Sequence, residues 1–259
     1  MRQLLERKTA LLNLLTFLAI ILATGAVSCC SYGHKKIPQP VSTNVHSSFL
    51  FVLNKNYQKV CVGPVCQERV QAGTGSGFSI AATKSYTVAV TAGHLCTPDP
   101  GTYKQETSVV MLGGQSYKAD ILIVAPHTDT CIIGIPGVSI KPLKIAMVKA
   151  QRGERVYALS APFGLFDSHM VAQFEGFYAG PTDSVVPKGV PGSDLKLDGY
   201  TIPSRPGSSG GPIVNYRGEV VGMIVMAHPM FENFTLSPRQ EDLLEILEIA
   251  ILAAKHMGD

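Results

Sequence analysis

The sequence predicts an all-β fold, and three observations carry that prediction. Short β-branched or alternating apolar runs follow one another along most of the chain: FLFVL, QKVCV, SGFSIA, YTVAVTA, SVVMLG, ADILIVA, CIIGI, ERVYALS, HMVAQFEGFYA, GPIVNY and EVVGMIV. Gly, Pro, Asp or Asn punctuates the gaps between them. No long helical periodicity interrupts them before the C-terminal segment, so the pattern is that of a sandwich or barrel.

Each element follows from its own residues. Arg2, Arg7 and Lys8 precede a mostly apolar run from Ala10 to Val27, and residues 1–32 are assigned to an N-terminal hydrophobic helix. A run of about 18 residues suits an uncleaved anchor or a signal core. Ala26-Val27-Ser28 before Cys29 resembles a bacterial lipoprotein cleavage site, with Ala26 where that signal usually has Leu. A cleaved or lipidated signal and a buried start are the alternatives to an anchor. Residues 33–48, GHKKIPQPVSTNVHSS, are polar and proline-bearing and read as a linker. Within the strand region, Asn215-Tyr216-Arg217-Gly218 separates two apolar runs as a hairpin turn would. The end of the chain breaks the β pattern. Ser237 as N-cap, Pro238 at the first helical position and Gln240 three after the cap open a helix over 237–256, with Leu243, Leu244, Leu247, Ile251 and Ala254 on one face.

Bulk composition excludes some functions. The chain has 259 residues, 46% hydrophobic and 16% charged, and a formal charge of +3 with no Lys/Arg block longer than the pairs Arg7-Lys8 and Lys35-Lys36. No nucleic-acid partner is expected from so thin a positive charge. Four cysteines lie outside the leader, Cys61, Cys66, Cys96 and Cys131. An even number permits three pairings in an oxidising compartment, and Cys61 with Cys66 could close a small loop around VGPV. Structural zinc is the rival use of these thiols, but their spacing fits no common zinc signature, so no metal is expected.

The chemistry concentrates in RPGSSGGPIV, Arg205 to Val214. Acyl transfer needs a hydroxyl within reach of a base and backbone N–H groups aimed at the oxygen that becomes negative. Glycines let such a turn form and let a carbonyl approach its backbone. Ser209 is the candidate nucleophile, Gly207 and Ser209 the candidate oxyanion donors, and Ser208 the structural member of the pair. Such a serine needs an oriented base. His94 in TAGHL ends the run YTVAV, and Asp129 in PHTDT leads into CIIGI. Asp120 and His127 are rivals by proximity alone. GTGSGF, Gly73 to Phe78, superficially suggests a phosphate loop but lacks the lysine and following helix that one requires, so it reads as a strand entry.

These motifs together resemble the trypsin-like serine peptidases, nearest the HtrA (Deg) type. GSGFSI is similar to the glycine-led strand before the family's histidine, VTAGHL to its histidine motif, and YKADILIVAPHTDTCIIGI to the segment bearing its aspartate. RGERVYALSAPFG and RPGSSGGPIVNYRGEVVGM resemble two further family segments, in the order His, Asp, Ser. The resemblance implies a chymotrypsin-like pair of antiparallel six-stranded β-barrels, over 49–140 and 141–236, with the site in the crevice between them. It implies a serine endopeptidase acting on proteins or peptides, with His94 as base, Asp129 as its orienter, Ser209 as nucleophile and no cofactor. A catalytically silent peptide-binding or chaperone-like protein on the same fold is the alternative.

Departures from the family shape the expectation. Ser208 stands where digestive relatives carry an activating aspartate, so no zymogen salt bridge is expected. About 34 residues follow Val225, too few for the peptide-binding PDZ domain usual in HtrA enzymes. Pro203, six before the nucleophile, falls at the base of the side-chain pocket, with Val225, Met226 and Ala227 along it. That lining implies small or medium apolar residues before the cut. A protein tethered to the membrane through its N-terminal segment, or exported, with its protease domain outside the cytoplasm, completes the reading.

Overall fold

The computed structural model describes residues 43–182, 195–228 and 231–257, all within one compact unit, Pro40–Asp259. The leader and the Cys29 site lie outside the described residues.

The first half is a closed six-stranded barrel. Its strands are β1 (Phe49–Val62), β2 (Val65–Ala82), β3 (Tyr86–Ala92), β4 (Thr102–Met111), β5 (Ser116–Ala125) and β6 (Thr130–Pro136), arranged β1-β2-β3-β6-β5-β4. FLFVL and QKVCV, separate in the sequence pattern, form one long strand that pairs with β2 from Phe49↔Phe78 to Val62↔Val65. The tip of that hairpin is closed by a Cys61–Cys66 disulfide, and Cys96–Cys131 is the second bridge. Strands β3 and β6 are apolar on both faces for a reason. Ala89, Cys131, Ile133 and Ile135 fill the barrel, whereas Val88, Val90 and Ile132 face outward into a second core shared with Leu159, Met223, Leu243 and Leu247. That outer core welds the two halves together and buries strand faces that water would otherwise wet.

The linker expectation fails at its end: Thr43–Ser47 is a helical turn in which Val45 is buried, followed by a buried Ser48. Val45 packs into the shared core, so the fold begins before Phe49.

The second half contains β7 (Arg155–Ser160), β8 (Ala172–Thr182), β9 (Leu197–Tyr200), β10 (Pro212–Val214), β11 (Val220–Met223), β12 (Met226–Ala227) and β13 (Thr235–Pro238). Their order is β11-β10-β7-β8-β9-β13-β12, a seven-stranded sheet in which six barrel strands are expected. The two ends of that order are consecutive pieces of one segment, 220–227. Its first piece pairs with β10 and its last with β13, and the Val225 N–H donates to Leu236 C=O between them (3.0 Å). The sheet therefore closes through a strand that changes partners midway. Asn215–Gly218 makes the expected turn, with Gly218 N–H donating to Asn215 C=O.

The C-terminal helix spans Gln240–Met257, and its cap differs from the expected one. Ser237 and Pro238 belong to β13, where they pair with Asp198 and Leu197. The cap is tertiary: Asp198, fully buried, accepts the Gln240 N–H through Oδ2 (3.0 Å) and the Tyr178 hydroxyl through Oδ1 (2.8 Å). A carboxylate at a helix N-terminus also meets the positive end of the helix dipole. Burial first, and then the bond to Asp198, push the Tyr178 phenol well above its ordinary range. Leu243, Ile246, Leu247, Ala250 and Ala254 form the buried face of the helix, set against both barrels. Asp198→Ala would leave two buried donors without a partner, each costing about 1–3 kcal/mol. A loss of about 2–5 kcal/mol in urea unfolding is expected, and a smaller one for Asp198→Asn, whose amide oxygen still accepts one bond. An unchanged midpoint for the alanine variant would remove Asp198 from this role.

Candidate active site

His94 sits where β3 gives way to a one-turn helix, Gly93–Cys96, and Asp129 where a 3-10 turn, Pro126–Thr128, gives way to β6. Because β3 and β6 are paired neighbours, both turns emerge at the same barrel end. Asp129 adopts a left-handed backbone (φ 47°, ψ 45°), which a short polar side chain tolerates better than most. Its carboxylate engages His94 twice: Oδ1 accepts the backbone N–H (2.7 Å) and Oδ2 the ring Nδ1–H (2.7 Å). Gly93 N–H donates to Asp129 C=O as well (2.7 Å). A Cβ at Gly93 would lie 2.9 Å from Asp129 Oδ1, so glycine is needed for the two turns to approach this closely.

The carboxylate fixes the imidazole tautomer. With Nδ1 protonated towards Asp129, the lone pair lies on Nε2, where a base needs it. Asp129 is largely covered, with 18% of its side chain exposed, while His94 retains 47%. The carboxylate is thereby shielded while the ring remains reachable. The Cys96–Cys131 disulfide joins residues two beyond each member of the pair, clamping the turns from behind.

Asn54, which the sequence pattern leaves in the gap between FLFVL and QKVCV, holds the other side. Its buried side-chain amide donates to the Leu95 C=O, to which Gln105 also donates (3.3 Å), and accepts the Thr107 hydroxyl (2.6 Å). The carbonyl immediately after His94 is therefore satisfied from β1 and β4. Asp120 and His127 are exposed and make no hydrogen bond to His94 among the described residues.

Ser209 lies in the turn before β10 and is partly exposed, whereas Ser208 is buried with its Oγ accepting the Arg205 N–H (3.2 Å). The serine loop docks onto β2 and the end of β3. Ser76 N–H donates to Ser209 C=O (2.8 Å), and a Cβ at Gly210 (φ 87°) would lie 2.0 Å from Ser76 C=O and 2.9 Å from Ala92 N. Only glycine permits that contact. Among the described residues, the N–H groups of Gly207 and Ser209 donate to no protein acceptor, and Ser209 makes no hydrogen bond to His94.

Pro203 is partly buried, Val225 is buried, Met226 is partly buried and Ala227 is exposed. The last two form β12, paired to Leu236 and Thr235. A cavity of about 470 Å³ adjoins His94, lined by first-barrel residues including Asn54, Asn56, Gln71, Thr97 and Asp99. Both disulfides occupy the four cysteines, and among the described residues no group of His, Cys, Asp or Glu is placed to hold a metal.

Comparison with known proteins fits this geometry. A family profile for the trypsin-like peptidase domain matches residues 75–223. A probable periplasmic DegP-like serine endoprotease of Pseudomonas fluorescens is 30% identical over 162 residues, covering 61% of this chain and 30% of that protein. A putative serine protease, HhoB, of Synechocystis is 26% identical over 154 residues, covering 59% and 34%. The chain thus spans about a third of the length of these curated relatives. Among solved structures, the active form of the Rv3671c protease from M. tuberculosis superposes with a TM-score of 0.60 at 19% identity, covering 81% of this chain and 83% of that one. The HtrA-type protease AlgW with a decapeptide gives 0.61 at 14% identity, covering 82% and 66%. At such identities the structural matches establish the fold.

Proposed function

The chain belongs to the trypsin-like peptidase domain family, and from that premise we propose that it is a serine endopeptidase working through His94, Asp129 and Ser209. The observation that carries the reading is the double engagement of His94 by Asp129, which orients both ring and backbone. In the proposed reaction His94 Nε2 takes the Ser209 hydroxyl proton as Oγ bonds to the substrate carbonyl carbon. The carbonyl oxygen becomes negative against the N–H groups of Gly207 and Ser209. The intermediate collapses as His94 returns the proton to the departing amine, leaving an acyl-serine. Water then repeats the sequence and frees the acid. Asp129 stays ionised throughout and stabilises the imidazolium.

The acyl side of the substrate is assigned to Pro203, Val225, Met226 and Ala227. The cavity beside His94, walled by the first barrel alone, is assigned to the leaving side, where the returned proton is delivered. The chain's place is outside the cytoplasm. Two disulfides, the apolar leader and a periplasmic DegP-like relative support that compartment. Attachment through the N-terminal segment rests on residues outside those described, and among the described residues no helix is long and apolar enough to cross a membrane.

A panel of fluorogenic peptides differing only before the cut tests both levels. Cleavage best after small or medium apolar residues is expected. Best cleavage after Lys or Arg would overturn the specificity, and peptide binding without cleavage of any member would favour a silent binding protein.

A further inference from the structure

Ser76 is fully buried in β2 and makes four hydrogen bonds to three separate parts of the chain. Its Oγ accepts the Ala161 N–H (3.0 Å) and donates to the Gly207 C=O (2.9 Å). Its own N–H donates to the Ser209 C=O (2.8 Å), and its C=O accepts the Thr91 hydroxyl (2.7 Å). A serine hydroxyl has one proton to give. Since Ala161 occupies a lone pair, the proton is directed to Gly207.

We infer that Ser76 is a positioning residue that sets the oxyanion loop, an inference resting on the reading of Ser209 as nucleophile. Peptide units are planar and trans, so holding a carbonyl aims the N–H of the same unit in the opposite direction. The Pro206 C=O is held by Phe163 N–H (2.6 Å) and the Ser208 C=O by Gly211 N–H (3.0 Å), which orients the Gly207 and Ser209 N–H groups respectively. Ser76 holds the two alternate carbonyls, Gly207 and Ser209, and so fixes where that pair of donors stands. It draws the loop against Ala161 of the second barrel and against Thr91, three residues before His94 on β3. The donors and the base are thereby registered to one buried side chain. With a methyl group in its place, the Ala161 N–H and the Gly207 C=O lose their partner in a dry site, and the Gly207–Ser208 peptide is held only from its other side, by the Ser208 N–H on the Arg205 C=O (2.8 Å).

The test compares the parent with Ser76→Ala and with the near-isosteric Thr91→Val, on a peptide that the parent cleaves. Removing a donor from such a hole typically costs about a hundredfold or more in kcat. Loosening it through Ser76 is expected to lower kcat about ten- to a hundredfold, with KM within about twofold and the pH dependence of kcat/KM unmoved. Thr91→Val is expected to give a smaller loss in the same direction and stands in if the alanine variant does not fold. A merely structural role would lower the melting temperature and leave kcat per folded molecule intact, which overturns the inference, as does a rise in KM alone. Backbone amide NMR reads the loop without turnover: Gly207 and Ser209 resonances are expected to shift or broaden in Ser76→Ala. A parent that cleaves nothing while those resonances move would sink the proposed activity and leave the positioning intact, whereas unmoved resonances would sink the positioning.

Discussion

Ser209→Ala is expected to lower kcat/KM by at least about 10⁴-fold and to abolish labelling by a fluorophosphonate probe, because no other hydroxyl in the loop can take its place. Two adjacent serines make this a sharp experiment. Ser208 is buried, with its Oγ bound to the Arg205 N–H and its C=O to Gly211 N–H, whereas Ser209 is partly exposed. Ser208→Ala should therefore still label and still hydrolyse, with a stability loss of about 1 kcal/mol from the missing hydrogen bond. Comparable labelling of the parent and Ser209→Ala would mean that the nucleophile lies elsewhere.

Asp129→Asn is expected to cost about 10⁴-fold in kcat while leaving the fold intact. Asparagine matches aspartate in shape and tolerates the left-handed backbone seen at this position. It cannot match its chemistry. Both carboxylate oxygens accept, one from the His94 backbone N–H and one from the ring Nδ1–H. An amide supplies one acceptor and one donor, so it satisfies the backbone only by presenting N–H to the ring. That turns Nδ1 into an acceptor, moves the ring proton to Nε2 and leaves nothing to accept the Ser209 proton. Steady-state kinetics together with a melting curve separate this from unfolding. Retention of more than about a tenth of parental kcat would remove Asp129 from the proposed role.

Much of the site was legible because its signals are local. A hydroxyl among glycines, a histidine at the end of an apolar strand and an aspartate at the mouth of another are each written in a few adjacent residues. The meeting of His94 and Asp129 at one barrel end follows from the β3–β6 pairing, which the sequence pattern could imply only through family resemblance, and the serine loop reaches the first barrel through Ser76. Asn54 and Ser76 were illegible as site residues, since each acts on groups far along the chain: Asn54 on the Leu95 C=O, Ser76 on Ala161 and Gly207. Ser76 stood within a recognisable motif, GSGFSI, yet nothing in that motif tells which carbonyl its hydroxyl meets. LDGY and TLSP carry little strand signal in the sequence because glycine and proline weaken the β pattern. They pair with each other between β8 and β12, and TLSP took the serine and proline that locally read as a helix start.

By itself the sequence determined the fold class, the alternation of strands and turns, the amphipathic C-terminal helix and the three residues proposed for acyl transfer. These depend on periodicity and turn chemistry, which act over a few residues. Tertiary structure alone decided which of three cysteine pairings forms, that the second barrel closes through one strand with two partners, and that Asp198 caps the helix. It also decided which backbone carbonyls Ser76 holds. Those outcomes depend on groups brought together by burial, where an unpaired donor or charge is costly, and a one-dimensional pattern does not say which distant group will supply the partner.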